Sequence, residues 1–244
     1  MRAILLFPAV LIFVAAATAQ QPAKPGLTAE QIIEKSIAAT GGRQVMEKIS
    51  SSYAKGIMEF PAAEVDGIIE RYSKAPNKQL TVTVIDGVGE TRQGFDGQVA
   101  WSQDPSGRVT QLTGAALEDV RIGAAFNAAL NWRALYPKAE LAGRESVGGR
   151  EAYVVKLTAV SGKITTRYYD AETFLLLRET AMYDTPQGPM KITAEFSDYR
   201  EVDGLKTPFR TRQIMPVGEI VFRTTELKDN VPIEDATFAK PGAK

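Results

Sequence analysis

Gly94-Phe95-Asp96-Gly97-Gln98-Val99-Ala100-Trp101-Ser102-Gln103-Asp104-Pro105 decides how the rest of this 244-residue chain is read. Asp96-Gly97 is a turn dipeptide between two short runs of strand-forming residues, and it predicts a hairpin with a type I′ turn. Asp104-Pro105 ends the second strand, because proline has no N–H to give to a ladder. The same rhythm extends in both directions. Alternating segments rich in β-branched and aromatic residues predict strands over 52–60, 67–74, 79–85, 89–95, 98–104 and 107–112, then 151–158, 163–170, 174–183, 189–200, 206–215 and 219–228. Turn signals separate them at Pro76-Asn77, Asp86-Gly87, Gly148-Gly149, Ser161-Gly162, Asp203-Gly204 and Pro216-Val217-Gly218.

Two stretches depart from this pattern. Leu27 to Thr40 carries Ile32, Ile33, Ser36, Ile37 and Thr40 at helical spacing, with Thr28 and Gln31 as a capping box and Gly41 as a stop. Gly114 to Tyr136 is alanine-rich, and Leu117, Val120 and Ala124, then Phe126 and Leu130, recur at helical intervals. The order helix, half-sheet, helical crossover, half-sheet predicts an α+β fold. Its strongly curved antiparallel sheet is a half-open barrel with helices over the concave face, and a closed barrel is the near alternative. Residues 27–244 form one domain in this reading, with the crossover at about 114–136.

The chain contains no histidine and no cysteine. That excludes a Ser-His-Asp triad, a thiolate nucleophile, disulfides and His or Cys zinc ligands, so a binding role is expected ahead of catalysis. Residues 1–19 read as a signal peptide: Arg2, an apolar run from Ile4 to Ala17, and the small-x-small pattern Ala17-Thr18-Ala19. Residues 20–26 read as a flexible tether. Basic and acidic residues number 29 each, and the leader removes only Arg2 from that balance, so no bulk charge points to nucleic acid.

Further motifs resemble a known family. The hairpin at 94–105, Tyr168-Tyr169-Asp170-Ala171-Glu172-Thr173 leading into Phe174-Leu175-Leu176-Leu177-Arg178, and the closing residues Asn230, Asp235, Phe238, Pro241 and Gly242 occur in the order found in periplasmic lipoprotein carriers, the outer-membrane lipoprotein-sorting (LolA-like) superfamily. The resemblance implies an apolar cavity for acyl chains, no covalent chemistry and no cofactor. It also implies lipoprotein acyl chains or lipid as cargo, membrane-bound donor and acceptor proteins as partners, and a monomer in the periplasm. The segment from Gly123 to Tyr136 then reads as a lid.

Apolar alternation puts Leu80, Val82 and Val84, Tyr153, Val155 and Leu157, Met190, Ile192, Ala194 and Phe196, and Ile220 and Phe222 each on one face of a strand. The candidate lipid-binding residues are Val82, Trp101, Phe126, Leu130, Trp132, Val155, Phe196 and Phe222. The alternative to a cavity is a filled β core whose surface serves an envelope interaction or structural role. Six strand arginines, Arg71, Arg167, Arg178, Arg210, Arg212 and Arg223, could each meet a headgroup or pair with an acid. Enzyme motifs are weak: Ser52-Tyr53-Ala54-Lys55 opens a strand rather than a helix, and the Asp198, Glu201, Asp203 cluster lacks EF-hand spacing. Cell fractionation with N-terminal sequencing tests the export reading. A soluble mature form beginning at Gln20 is expected, and an intact N-terminus in the inner membrane would overturn it.

Overall fold

A single antiparallel sheet of thirteen strands, open at both ends, organises the chain in the computed structural model, which describes residues 26–185 and 188–242. The signal peptide at 1–19 and residues 20–25 of the tether lie outside the described residues. The elements run α1 (Ala29–Ala39), α2 (Arg43–Met46), β1 (Ser51–Phe60), β2 (Val65–Lys74), β3 (Lys78–Ile85), β4 (Gly89–Phe95), β5 (Ala100–Gln103) and β6 (Val109–Leu112). After α3 (Gly114–Ala124) and α4 (Trp132–Leu135) come β7 (Lys138–Val147), β8 (Arg150–Thr158), β9 (Ile164–Asp170), β10 (Leu176–Thr185), β11 (Gly188–Val202), β12 (Leu205–Met215) and β13 (Gly218–Asp229). A 3-10 turn at Asp235–Phe238 follows.

Strand order is β6-β5-β4-β3-β2-β1-β13-β12-β11-β10-β9-β8-β7. Each half of the chain is a meander of neighbouring hairpins, and the halves meet where β1 pairs with β13. Gly56 lies at this seam beside a register shift, and an added Cβ would overlap the Arg223 carbonyl oxygen. A bulge with a glycine lets the strands approach and bend.

The helices cover the two ends of one face. On α1, Ile32, Ile33 and Ile37 are buried in one cluster with Tyr153, Val155 and Leu157 of β8 and Tyr169 of β9. Its N-terminus has the capping box, with Gln31 N–H donating to Thr28 Oγ1 at 3.3 Å and Thr28 N–H to Gln31 Oε1 at 3.0 Å. At the other end, Leu117, Val120 and Ala124 of α3 pack on Phe95 and Ala100 of β4 and β5. The opposite face has its own cover, where Phe238 and Ile233 pack on Leu80 and Trp101 and the Trp101 indole N–H donates to the Phe238 carbonyl at 3.0 Å. Across the hairpin, the Trp101 ring fills the space over Gly94 where a Cβ would be.

The aspartates of the sequence motifs act as turn caps. Asp96 Oδ1 accepts from the N–H groups of Gln98 and Val99 at 2.8 and 2.7 Å. Gly97 has positive φ and Asp96 does not, so a carboxylate-capped loop stands in place of the expected type I′ turn. Asp104 Oδ1 likewise accepts from Ser106 and Arg108 N–H at 3.0 and 3.1 Å. Asp170, 2% exposed, accepts from Glu172 N–H, Thr173 N–H and Thr173 Oγ1 and pairs with Arg150 at 2.8 Å. At the C-terminus Asp235 binds Lys74 and Lys78, which hold its carboxyl down at about 2.

Two expectations change. Strand β7 was absent from the sequence reading, and the helical crossover is two helices with a non-helical stretch at 125–131, where the sequence sets Phe126 and Leu130 at helical spacing.

Burial works against the charged Asp170 carboxylate, but its Thr173 and Arg150 partners outweigh it and keep its pKa below the ordinary 3.8. Its contribution to stability is therefore complete above about pH 4 and is lost only as pH falls through the lower folded value. Asp170→Ala should cost about 2–4 kcal/mol at neutral pH, because it strands buried donors. In urea titrations the gap to the wild type should narrow only in strong acid.

Candidate functional site

Between its covered ends the inner face of the sheet is bare among the described residues, and there it lines a cavity of about 640 Å³. The lining includes Gln93 of β4 and Ala181 of β10, which stand seven strand steps apart, about 34 Å on a flat sheet at ~4.8 Å per step. Only strong curvature brings both to one cavity. Helix α3 touches both β4 and β10 and so closes the arc from above.

The two walls differ in chemistry. Ala181, Ile192, Ala194, Phe196, Phe222 and Leu227, from β10, β11 and β13, make the more apolar wall, interleaved with Glu179 of β10 and Thr211 and Gln213 of β12. Facing it, the β2 to β4 wall carries Ile69, Arg71 and Gln93, with Thr81 between the last two in the strand register. Ala54 and Gly56 leave the floor shallow in side chains.

Smaller cavities flank this one. One of about 250 Å³ lies beneath α3 and shares Glu179, Ala181 and Tyr183 with it. The other, about 260 Å³, lies under the 123–127 stretch of the crossover and shares Thr207 and Leu227. Where the first adjoins, Arg167 and Glu179 pair at 2.6 Å. Burial disfavours the Arg167 charge, yet Tyr169, Glu179 and Tyr136 outweigh it and hold the guanidinium above its ordinary range. Burial pushes the Tyr183 phenol up to about 12, so it is a neutral hydroxyl at any physiological pH.

The predicted residues divide into four places. Phe196 and Phe222 line the large cavity. Phe126 lines the smaller one beneath the crossover. Val155, Leu130 and Trp132 belong to the core under α1. Val82 and Trp101 are on the opposite face, packed with Phe238 beneath the C-terminal segment.

The placement of Val82 and Trp101 corrects the expected strand parity. In β3 it is Gln79, Thr81 and Thr83 that face inward, because the C-terminal segment supplies the apolar outer face with a partner. Trp132 is held as a core residue: it is 3% exposed, its indole N–H reaches Glu34 at 3.2 Å and Arg133 lies over its ring. The expected lid is also tied down next to its glycine. Phe126 N–H donates to Pro76 O at 3.0 Å, and Asn127 Nδ2 donates to Met46 O at 2.8 Å. The cluster weighed for calcium is pinned by its own arginine, since Asp198 binds Arg200 at 2.7 Å.

Three solved structures share this architecture. A LolA superfamily protein from Nitrosomonas europaea superposes with a TM-score of 0.60 at 18% identity, covering 88% of this chain and 99% of that one. The fold of this chain is the one these structures share, an open, curved antiparallel sheet with helices over one face. A DUF1329 family protein from Desulfovibrio piger gives 0.59 at 17% identity, with 86% and 97% covered. A domain described as an outer-membrane lipoprotein-sorting protein, from Vibrio parahaemolyticus, gives 0.57 at 16%, with 85% and 94% covered. No protein-family profile and no curated protein matches the sequence.

Within this fold the walls can be separated from the core by mutation. Phe196→Asp and Phe222→Asp face a cavity that admits water and should unfold at nearly wild-type urea concentrations. Val155→Asp buries a charge in a closed cluster and should cost about 3 kcal/mol or more. Equal destabilisation by all three would mean that the cavity is a filled core.

Proposed function

We propose that this protein binds and transfers lipoproteins or other acylated hydrophobic ligands in the cell envelope, and that it does so without covalent chemistry. The observation that carries this reading is the 640 Å³ cavity, whose more apolar wall contains Phe196 and Phe222 and which no helix among the described residues fills. That volume falls in the ~300–1,000 Å³ range of small-ligand pockets.

The energetics suit a carrier. Burying a sixteen-carbon acyl chain gains on the order of 12 kcal/mol at ~0.8 kcal/mol per methylene. Association costs several kcal/mol in lost translational and rotational freedom, about 4–15. The net affinity is moderate, which allows release as well as capture. Loading comes through an open sheet rather than a moving lid, because the crossover is anchored to Pro76, Met46 and Glu34. A soluble periplasmic carrier accords with the sequence leader, and no helix among the described residues is long and apolar enough to cross a membrane.

A second reading, an envelope interaction module, is favoured by a different observation. Ile57, Ile68 and Val84 are neighbours across β1, β2 and β3 on the outer face, 38%, 45% and 39% exposed. Such a contiguous apolar stripe suits a protein partner. Native mass spectrometry of protein purified from its own periplasm separates the two. A co-purifying lipid or lipoprotein is expected. A ligand-free protein that also refuses added acyl compounds would remove the carrier reading, and a stoichiometric polypeptide lost on Ile68→Asp would establish the second.

A further inference from the structure

We infer that the cavity is built for an amphiphile with an anionic headgroup, a carboxylate or a phosphate, and that Arg71 is the residue that binds it. This rests on the carrier reading above and adds the polarity and chemistry of the ligand.

The six strand arginines are not equivalent. Arg167 pairs with Glu179 at 2.6 Å, Arg178 with Glu195 at 2.6 Å, Arg223 with Glu59 at 2.6 Å, and Arg212 with Glu195 and Glu219. Arg210 shares the outer face with Arg223, its partner across β12 and β13. Arg71 faces the cavity, and among the described residues no carboxylate reaches it within ion-pair distance. Residues 1–25 contain no acidic side chain that could.

The carboxylates nearest in the inner register are already engaged. Glu179 is held by Arg167, and Asp229, two strands away on β13, is hydrogen-bonded by Ser52. Every other member of the Arg71 row is neutral: Gln93, Thr81, Ala54 and Leu227.

Arg71 remains exposed to the water in the cavity even though the curved sheet surrounds it, and that enclosure alone disfavours its charged form. A ligand that fills the cavity strips this water away. A neutral amphiphile would leave the guanidinium desolvated without compensation, whereas an anionic one replaces water with charge-assisted hydrogen bonds, bidentate to a carboxylate or phosphate. The apolar wall of Ala181, Ile192, Ala194, Phe196 and Phe222 lies across the cavity and receives the tail. Head and tail are thereby assigned to opposite walls.

Displacement of the neutral fluorophore N-phenyl-naphthylamine by dodecanoate, dodecyl phosphate and dodecanol tests this. At neutral pH one or both anions should displace the probe at about tenfold lower concentration than the alcohol, the difference expected of charge-assisted hydrogen bonds. The tighter anion identifies the headgroup as carboxylate or phosphate. Arg71→Gln, or Arg71→Met if that variant does not fold, should weaken the anions to within about twofold of dodecanol, while dodecanol binds no more weakly than to the wild type because the uncompensated charge is gone. Equal binding of all three ligands by the wild type would overturn the headgroup assignment while sparing the carrier reading. A preference for anions that survives both substitutions would overturn the role of Arg71. Failure of the probe and of all three ligands to bind would remove both proposals.

Discussion

The pairing of β1 with β13 is the constraint on which the rest of the structure depends. Ser52 to Glu59 lie against Asp229 to Val221, and this is where the first six strands join the last seven. At the same seam the Gly56 bulge and the neighbouring small residues Ala54 and Gly67 reduce side-chain bulk inside the curve. Curvature there brings β4 and β10 within reach of α3. The cavity is therefore a product of the seam: a flatter junction would leave an apolar sheet face with nothing opposite it.

Filling is distributed unevenly for a related reason. The chain has helices enough to cover the two ends of the inner face, with α1 over β8 and β9 and α3 over β4 and β5. The C-terminal segment is committed to the other side, where Phe238 lies fully buried against Trp101. What remains uncovered is the middle of the arc. Its two walls differ because β3 and β5 turn Leu80, Val82 and Trp101 outward to the C-terminal segment, while β11 and β13 turn Ile192, Phe196 and Phe222 inward. An amphipathic interior follows from which face each half-sheet has had covered.

Much of this was legible in the sequence, and the exceptions have identifiable causes. Strand existence followed from alternation and turn residues, and α1 followed from its spacing and capping box. Strand β7 was invisible because Lys138–Val147 is exposed along most of its length and so carries no apolar alternation, and Gly143 interrupts it at a bulge. The side of β3 was misjudged because Leu80 and Val82 show the right period, and period alone does not say which face is covered. Their partner, Phe238, is more than 150 residues away in sequence. Phe196 and Phe222 line the cavity because the apolar alternation of β11 and β13 does face the interior. Trp132 was misplaced because an aromatic in an alanine-rich segment looks the same whether it meets a ligand or, as here, α1 and Glu34. Arg71 was one of six arginines until the pairing of the others was visible.

The seam also governs how the fold can be reached. β13 is the last strand of the sheet and β1 the first, so its central pair joins residues far apart in sequence, Ser52 and Asp229. Local hairpins such as β3–β4 or β11–β12 can form early at small entropic cost, whereas the ordering of the centre waits for loop closure across the entire length. Until then β1 has one unpaired edge, and the half-sheet it borders has no floor to curve around. On that argument closure of the middle is the slow step, and the cavity is expected to form after the local hairpins.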